Sequence, residues 1–448
     1  MKSSPPISQI IKREGNLAPY DRDRIGTAIF RAMASLGQGD RAQADSLALD
    51  VEEALKAAYG TEATPSVEEI QDIVEETLME RGAVKTARAY IIYRNQRAQA
   101  RAARAYAFEV TDNIPYKKIY EVLRWNMDHG CDSIGDLNDL IAGGHFPRLV
   151  RETDRRYDEE LDRCAAQIME RQDAVRLVIV AGPSSSGKTT TTAKLSERLA
   201  RVGLGFKAIN VDNYFFDLEQ HPKDEFGDYD YEAPQSLDLK LINEHLGALL
   251  AGETIQAPRY DFKTGKRTLA VEPLRLERNQ IILLDSLHGL YQDMTGGIPA
   301  EHKFRLYIET LGQLRAADGA FMRWADNRLM RRMLRDSLHR NSRPETTLTH
   351  WHYVRRSELK NIIPFIDTAD FLVNSALPYE IPLLKHRLFR YFPEAVARYQ
   401  QDPSRQDAYI RAKRVCDFLE PLTAVADDAC VPTDSLLREF IGGSRYEV

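Results

Sequence analysis

Residues 177–193 read LVIVAGPSSSGKTTTTA. A short β-branched run drops into a Gly- and Ser-rich turn, and Lys followed by four Thr opens a helix. From Gly182 to Thr189 the segment fits GxxxxGK[ST] at every fixed position. Gly182 and Gly187 let the backbone N–H groups of Ser184, Ser185 and Ser186 curl around a phosphate, and the helix start at Lys188, Thr189 and Thr190 adds its dipole. Lys188 is expected to reach the outer phosphates, and the Thr189 hydroxyl to ligate Mg²⁺. The spacing therefore points to a nucleotide.

Two acids stand where such a site needs them. IILLD at 281–285 reads as a buried strand ending in a carboxylate, which makes Asp285 a candidate Mg²⁺ ligand, directly or through water. An Asp that only caps the next turn is the alternative. Another strand ends in Val211-Asp212-Asn213-Tyr214. Ligands of open parallel sheets bind beyond the carboxyl ends of the strands, so Asp212 is placed to take a proton from an acceptor hydroxyl. A solvated loop Asp is the plainer reading.

RLMRRMLRDSLHRNSR at 328–343 puts Arg328, Arg331, Arg332 and Arg335 at helical spacing, with Arg340 and Arg343 following. Guanidinia so crowded repel one another unless an anion sits among them, and phosphoryl transfer needs such charge around the moving group. A solvated charged helix explains the pattern equally well. His350 and His352 are two apart, poor spacing for a metal on a helix, and no metal is assigned to them.

The elements that must position these residues follow from periodicity. Apolar runs at 177–181, 206–211, 281–285, 303–308 and 370–374 alternate with helical segments, as a parallel sheet with crossovers requires. The expected class is α/β, a P-loop NTPase-type parallel sheet with flanking helices. Ahead of it lies a mainly helical region. Residues 9–19 read as two short strands around Glu14-Gly15, and Ile25, Ile29, Met33 and Leu36 share a helical face. A second helix is expected from Arg41 to about Ala58, and a third after Ser66, where Glu69 completes a capping box. A long Ala/Arg-rich helix then runs to about Tyr106. Its stripe of Arg94, Arg97, Arg101 and Arg104 reads as a solvated face, with an oligomer contact as the alternative. Residues 107–175 look like a mostly helical connector with a charged helix from Val150 to Gln172, and the tail after Ala376 looks helical.

At 448 residues the chain is too long for one core. A net charge of −6 argues against a nucleic-acid scaffold, and no apolar run is long enough to span a membrane. Four scattered cysteines without a CxxC support neither zinc nor a disulfide framework. A cytoplasmic protein is expected.

Taken together, residues 176–375 resemble the uridine kinase and phosphoribulokinase-like branch of P-loop kinases. VDNYF at 211–215 is similar to that family's strand-end segment, whose Asp is catalytic base and metal neighbour, which implies those roles for Asp212. YEAPQSLD at 231–238 implies that Glu232 grips ribose hydroxyls, and PRYDFKTGKR at 258–267 that Tyr260 packs on the acceptor base. RRMLRD at 331–336 matches the start of the lid, carrying over Arg332 and Arg335, with Arg340 after them. There are departures. Asp285-Ser286-Leu287 replaces Glu-Gly-Ile, Gly265 stands where pyrimidine-specific members carry His, and Ser342 replaces a lid Arg. The resemblance implies an Mg²⁺-dependent nucleoside kinase using ATP or GTP and leaves the base open. A kinase of another alcohol or sugar phosphate, or a nucleotide sensor without catalysis, remains an alternative.

Residues 10–98 resemble the ATP-cone, a regulatory nucleotide-binding module. IIKREGNLAPYDRDRI at 10–25 matches its opening, and PSVEEIQDIVEETLMERGAVKTARAYIIYRNQR at 65–97 its second half. Ala18 departs, standing where some members carry an acid. Lys12 and Arg13 flank the turn and Arg24 begins the next helix, so these cations can converge on a triphosphate. The resemblance implies ATP or dATP as effector, acting through a homo-oligomer. The expected organisation is a regulatory domain over 1–98, a connector over 99–175, a kinase domain over 176–376 and a helical extension over 377–448.

Overall fold

The front helices bury their apolar faces against one another and against a short hairpin. In a computed structural model of the chain, residues 7–11, 17–60, 64–105, 114–222, 233–261, 264–340, 342–402 and 405–446 are described, with side chains omitted for 95–105. Lys12, Arg13, the Glu14-Gly15 turn, Glu232 and the expected helix end at Tyr106 lie outside them. So do the side chains of Arg97, Arg101 and Arg104. Two units separate: Met1–Thr111 with Glu394–Ile410, and Asp112–Pro393 with Arg411–Val448.

In the first unit, β1 (Gln9–Ile11) and β2 (Leu17–Pro19) pair antiparallel, Ile10 opposite Ala18. Helix α1 (Arg22–Ala34) starts at Asp21, whose side chain accepts from the Asp23 N–H. Ile25, Ile29 and Met33 are buried as their spacing requires. Leu36 lies beyond the helix end and is 40% exposed, so the shared face stops one turn short of expectation. Helices α2 (Arg41–Tyr59), α3 (Val67–Glu80) and α4 (Val84–Ala105) complete the unit. Both bonds of the Ser66/Glu69 capping box are present. Arg94 pairs with Asp72 and Glu75 of α3 at 2.6 and 2.7 Å, so this member of the arginine stripe is a tether between helices.

The second unit opens with α5 (Tyr116–Asp128), α6 (Ile134–Ala142) and α7 (Phe146–Glu170). Helix α7 begins earlier than Val150 because Pro147 sits in its first turn, where a missing N–H does no harm. A five-stranded parallel sheet follows in the order β4-β7-β3-β8-β9. Its strands are β3 (Leu177–Ala181), β4 (Gly205–Asn210), β7 (Gln280–Ser286), β8 (Lys303–Glu309) and β9 (Phe371–Asn374). The central strand β3 is buried along its whole length, as a parallel strand covered on both faces must be. Between β3 and β4 runs α8 (Lys188–Arg201), tied to α7 by Lys194 on Asp158 at 2.8 Å and Arg198 on Asp162 at 2.7 Å.

One element was not foreseen. After α9 (Leu239–Leu250) the chain forms an antiparallel hairpin of β5 (Thr254–Asp261) and β6 (Lys266–Arg275). Strand β6, KRTLAVEPLR, is mostly exposed and charged, so it lacks the apolar alternation by which a strand is read. Helices α10 (Trp324–His339) and α11 (Pro344–Asn361) precede β9, and α12 (Glu380–Leu388), α13 (Tyr391–Tyr399), α14 (Gln406–Leu419) and α15 (Arg438–Ile441) form the helical tail. Among the described residues, no helix is long and apolar enough to cross a membrane.

Candidate active site

The loop between β3 and α8 has the backbone that a phosphate cradle needs. Gly187 takes φ 91° and Ser185 φ 61°, both in the left-handed region. A Cβ at Gly182 would come within 2.4 Å of the Ile308 carbonyl, so only glycine lets the loop pass β8. The Oγ atoms of Ser185 and Ser186 are buried without a hydrogen-bond partner. Lys188 donates to the carbonyls of Gly182 at 2.9 Å and Pro183 at 3.3 Å. Burial lowers its ammonium pKa, a shift that Asp285 opposes and Arg335 reinforces.

Strand register brings the acids to this lysine. Asp285 lies opposite Val180 of β3 on one side and Asn210 of β4 on the other, and Asp212 follows β4 directly. Burial lifts the Asp285 carboxyl to about 6; Lys188 pulls it down, while Asp212 and Glu439 push it further up. Burial also raises Asp212, with Lys188 and Arg340 opposing. The Asn210 side chain accepts from the Asp212 N–H at 3.0 Å and fixes the short 3₁₀ turn Val211–Tyr214 that aims the acid. Asp285 and Asp212 at the ends of neighbouring strands, with Thr189 in the first turn of α8, thus offer only oxygen donors, a set that suits Mg²⁺ held in part by substrate phosphates. Among the described residues no cluster of three or more His, Cys, Asp or Glu that could hold a metal exists.

The arginines of α10 divide into two sets. Arg328 pairs with Glu309 at 2.8 Å and with Glu358 at 2.5 and 3.0 Å, and Arg331 with Glu380 at 2.6 and 2.9 Å. Both are buried, and they donate to the carbonyls of Ser184 and Ser185, so they brace the loop rather than face a ligand. Arg332 donates to Ser184 Oγ at 2.6 Å and to Asp336 at 2.7 Å, and Arg340 lies 3.5 Å from Asp336. Arg335 is different. Its Nε is buried without a partner, and burial, with Arg332 adding to it, pushes the guanidinium down to about 10 while Glu439 opposes. Between α10 and α11 an open cavity of about 300 Å³ is lined by residues that include Arg332, Asp336, Arg340, Ser342, His350 and Trp351, and not by Arg335.

Tyr260 sits on β5 and is 6% exposed. Its N–H donates to Asn213 Oδ1 at 3.2 Å, and its ring lies 5.5 Å from Phe215 and 6.4 Å from His221. The hairpin therefore carries an aromatic cluster to the segment holding Asp212. Phe215 closes the VDNYF segment but was given no role of its own, and His221 had no signal, since a lone His in a loop reads as packing. Arg24 lies in the first unit, three-quarters exposed and 3.3 Å from Asp21. Sequence reasoning also missed Tyr157, whose OH meets Thr191 Oγ1 at 2.5 Å, and Glu439, which bonds Thr190.

Two family models match this chain. The model of the phosphoribulokinase / uridine kinase family matches residues 177–380, and that of the ATP cone domain matches residues 8–99. A uridine kinase of Deinococcus deserti is 31% identical over 195 residues, 43% of this chain and 84% of that protein. A uridine kinase of Halobacterium salinarum is 27% identical over 172 residues, 38% of this chain and 67% of its own. One of Chloroflexus aurantiacus is 27% identical over 197 residues, 44% of this chain and 85% of its own.

Proposed function

This chain belongs to the phosphoribulokinase/uridine kinase family and carries an ATP cone domain, and from that premise we propose that it moves the γ-phosphoryl of ATP or GTP to the 5′-hydroxyl of a nucleoside. That it is a phosphotransferase acting on an alcohol group follows from the family. The observation that carries the finer reading is the placement of Asp212 and Asp285 at the ends of adjacent strands beside Lys188.

In this reading the loop Gly182–Thr190 binds the donor, and Lys188 leaves its two carbonyl partners for the β- and γ-oxygens. Thr189, Asp285 and Asp212 would hold Mg²⁺, which would neutralise phosphate charge. Asp212 orients the acceptor hydroxyl and takes its proton. Burial raises its carboxyl, against Lys188 and Arg340, and so makes it a stronger base for that transfer. Arg335, whose Nε is buried without a partner among the described residues, stabilises the charge on the transferring group, with Arg332 and Arg340 at the rim. Tyr260, with Glu232, holds the acceptor. The domain over 1–98 binds ATP or dATP through Lys12, Arg13 and Arg24 and sets the activity of the 176–376 domain through a homo-oligomer. Residues 99–175 connect the two, and 377–448 form an extension.

A second reading has a specific observation behind it. The cavity bearing Arg332, Arg340 and His350 suits an anionic acceptor such as a sugar phosphate, and Gly265 provides no imidazole for a pyrimidine. Incubating the protein with Mg²⁺ and ATP or GTP against nucleosides and sugar phosphates, with and without dATP, separates the two. A nucleoside 5′-monophosphate is the expected product, with a rate that dATP changes. Transfer to a sugar phosphate alone, or to no nucleoside at all, refutes the nucleoside assignment.

A further inference from the structure

The C-terminal turn of the chain lies in the phosphate loop. Glu439, on α15, is 1% exposed, and its Oε2 accepts from the Thr190 N–H at 3.1 Å and from Thr190 Oγ1 at 2.9 Å. Thr190 is the third residue of α8, so its N–H is one of the unpaired donors that a helix start offers to an anion. Leu436 packs so tightly on Gly187 that a Cβ there would come within 2.6 Å of its Cδ1. The Phe440 ring lies 4.9 Å from the Arg331 guanidinium. A carboxylate and an aromatic face on consecutive residues therefore occupy an N–H donor and a cation beside the same loop.

The segment is held in place from both sides. Ser435 Oγ bonds Tyr379 OH at 2.8 Å and Asp154 at 3.2 Å, and Arg438 donates to the carbonyls of Asp428 and Val431 at 2.8 and 2.7 Å. Arg445 reaches Glu197 of α8 at 2.7 Å. An acid at a helix start is ordinarily a stabilising cap. This helix start, however, is the one whose donors the phosphate loop presents, and a triphosphate entering it meets a buried carboxylate of its own sign. Both cannot hold the Thr190 donor at once.

We propose that residues 434–446 form an intrasteric strap on the donor site: Glu439 stands in for a donor phosphate, Leu436 closes on Gly187, and nucleotide binding displaces the segment. The inference rests on the reading of the loop as the donor site. Displacement separates Leu436 and Phe440 from their contacts and frees the Thr190 donors toward the nucleotide. The strap thus sets a threshold for ATP that is independent of the front module.

The test is Mg²⁺-ATP binding to the full-length chain, wild type against Glu439→Gln. The loop site is read as the binding that Lys188→Ala abolishes in each background, which subtracts the front module. Gln keeps an acceptor for Thr190 and removes the charge. Loop affinity is expected to rise at least about tenfold, the change that ~1.4 kcal/mol of relieved repulsion gives. Hydrogen exchange of residues 434–446 in the wild type is expected to rise on saturation with ATP. Unchanged or weaker loop affinity in Glu439→Gln, or exchange that ATP leaves unmoved, overturns the strap while leaving the donor site intact. If Lys188→Ala removes no ATP from either protein, the donor assignment itself fails and the strap falls with it.

Discussion

Arg335→Met is expected to make the second unit more stable and the enzyme inactive. The guanidinium of Arg335 is pushed down to about 10 from 12.5, first by burial and then by Arg332. A group whose charged form is disfavoured in the fold destabilises the fold at every pH below both values, because the unfolded chain keeps the proton freely. The gap corresponds to ~3 kcal/mol at pH 7, and solvent screening on this partly exposed helix face reduces it to ~1–2 kcal/mol. Methionine keeps the stem's packing and removes the charge. Trp125, Trp324 and Trp351 all lie in the second unit, so tryptophan fluorescence in urea follows that unit alone. The midpoint should rise, and phosphoryl transfer should fall by ~10²–10³, the loss typical when a donor aimed at developing charge is removed. A variant less stable than wild type by more than ~1 kcal/mol, or one that keeps its turnover, refutes the assignment of Arg335 as the unpaired catalytic cation.

Its neighbour should behave in the opposite way. Arg331→Met leaves Glu380 buried without its cation, both side chains being 0% exposed, and should lower the same unfolding free energy by ~3–5 kcal/mol. Asp212→Asn should abolish turnover while leaving the Lys188-dependent binding of ATP largely intact; persistent turnover in an acceptor assay would show that the base lies elsewhere. Burial lifts the Asp154 carboxyl to about 6 against 3.8 for a free aspartate, despite hydrogen bonds from Tyr379 and Ser435. Folded above unfolded means that the stability it contributes is complete below pH ~4 and is lost as pH rises through about 6. The difference in unfolding free energy between wild type and Asp154→Asn should therefore grow over that window, in favour of the variant, to ~3 kcal/mol at most; a flat difference would mean the carboxyl is not displaced.

How much of this was legible depends on whether a residue's role is local. The phosphate loop is: its glycines, Lys188 and Thr189 are fixed by a backbone shape that needs those residues in that order, and β3, the loop and α8 appear where the pattern puts them. The capping box at Ser66 is legible for the same reason. The arginines of α10 were not separable by spacing, because Arg331 and Arg332 differ only in which way the helix turns them. One meets Glu380, some fifty residues on, and the other meets Ser184 in the loop. Strand β6 escaped because its side chains face solvent, and Glu439 because its partner lies far away in the chain. Tertiary pairing of a charge leaves no periodic trace in sequence.

Charge balance links the strap to the lid. Lys188, Arg332, Arg335 and Arg340 face Asp212, Asp285, Asp336 and Glu439, so the site is close to neutral with the strap in place. Burial dominates the shifts of Lys188, Arg335 and Asp285, and Glu439 steadies the two cations while repelling Asp285. Removing Glu439 therefore leaves cation charge uncompensated toward the incoming phosphates, and Arg335, whose Nε is buried without a partner among the described residues, is the group that feels it beside Lys188. Loop-site ATP affinity in wild type, Arg335→Met, Glu439→Gln and the double variant should consequently be non-additive. The gain from Glu439→Gln should shrink in the Arg335→Met background, with a coupling of ~0.5–3 kcal/mol, as for residues in one charged network. Additivity within ~0.5 kcal/mol would mean that the two groups do not sense each other, and that the tail excludes nucleotide by bulk alone.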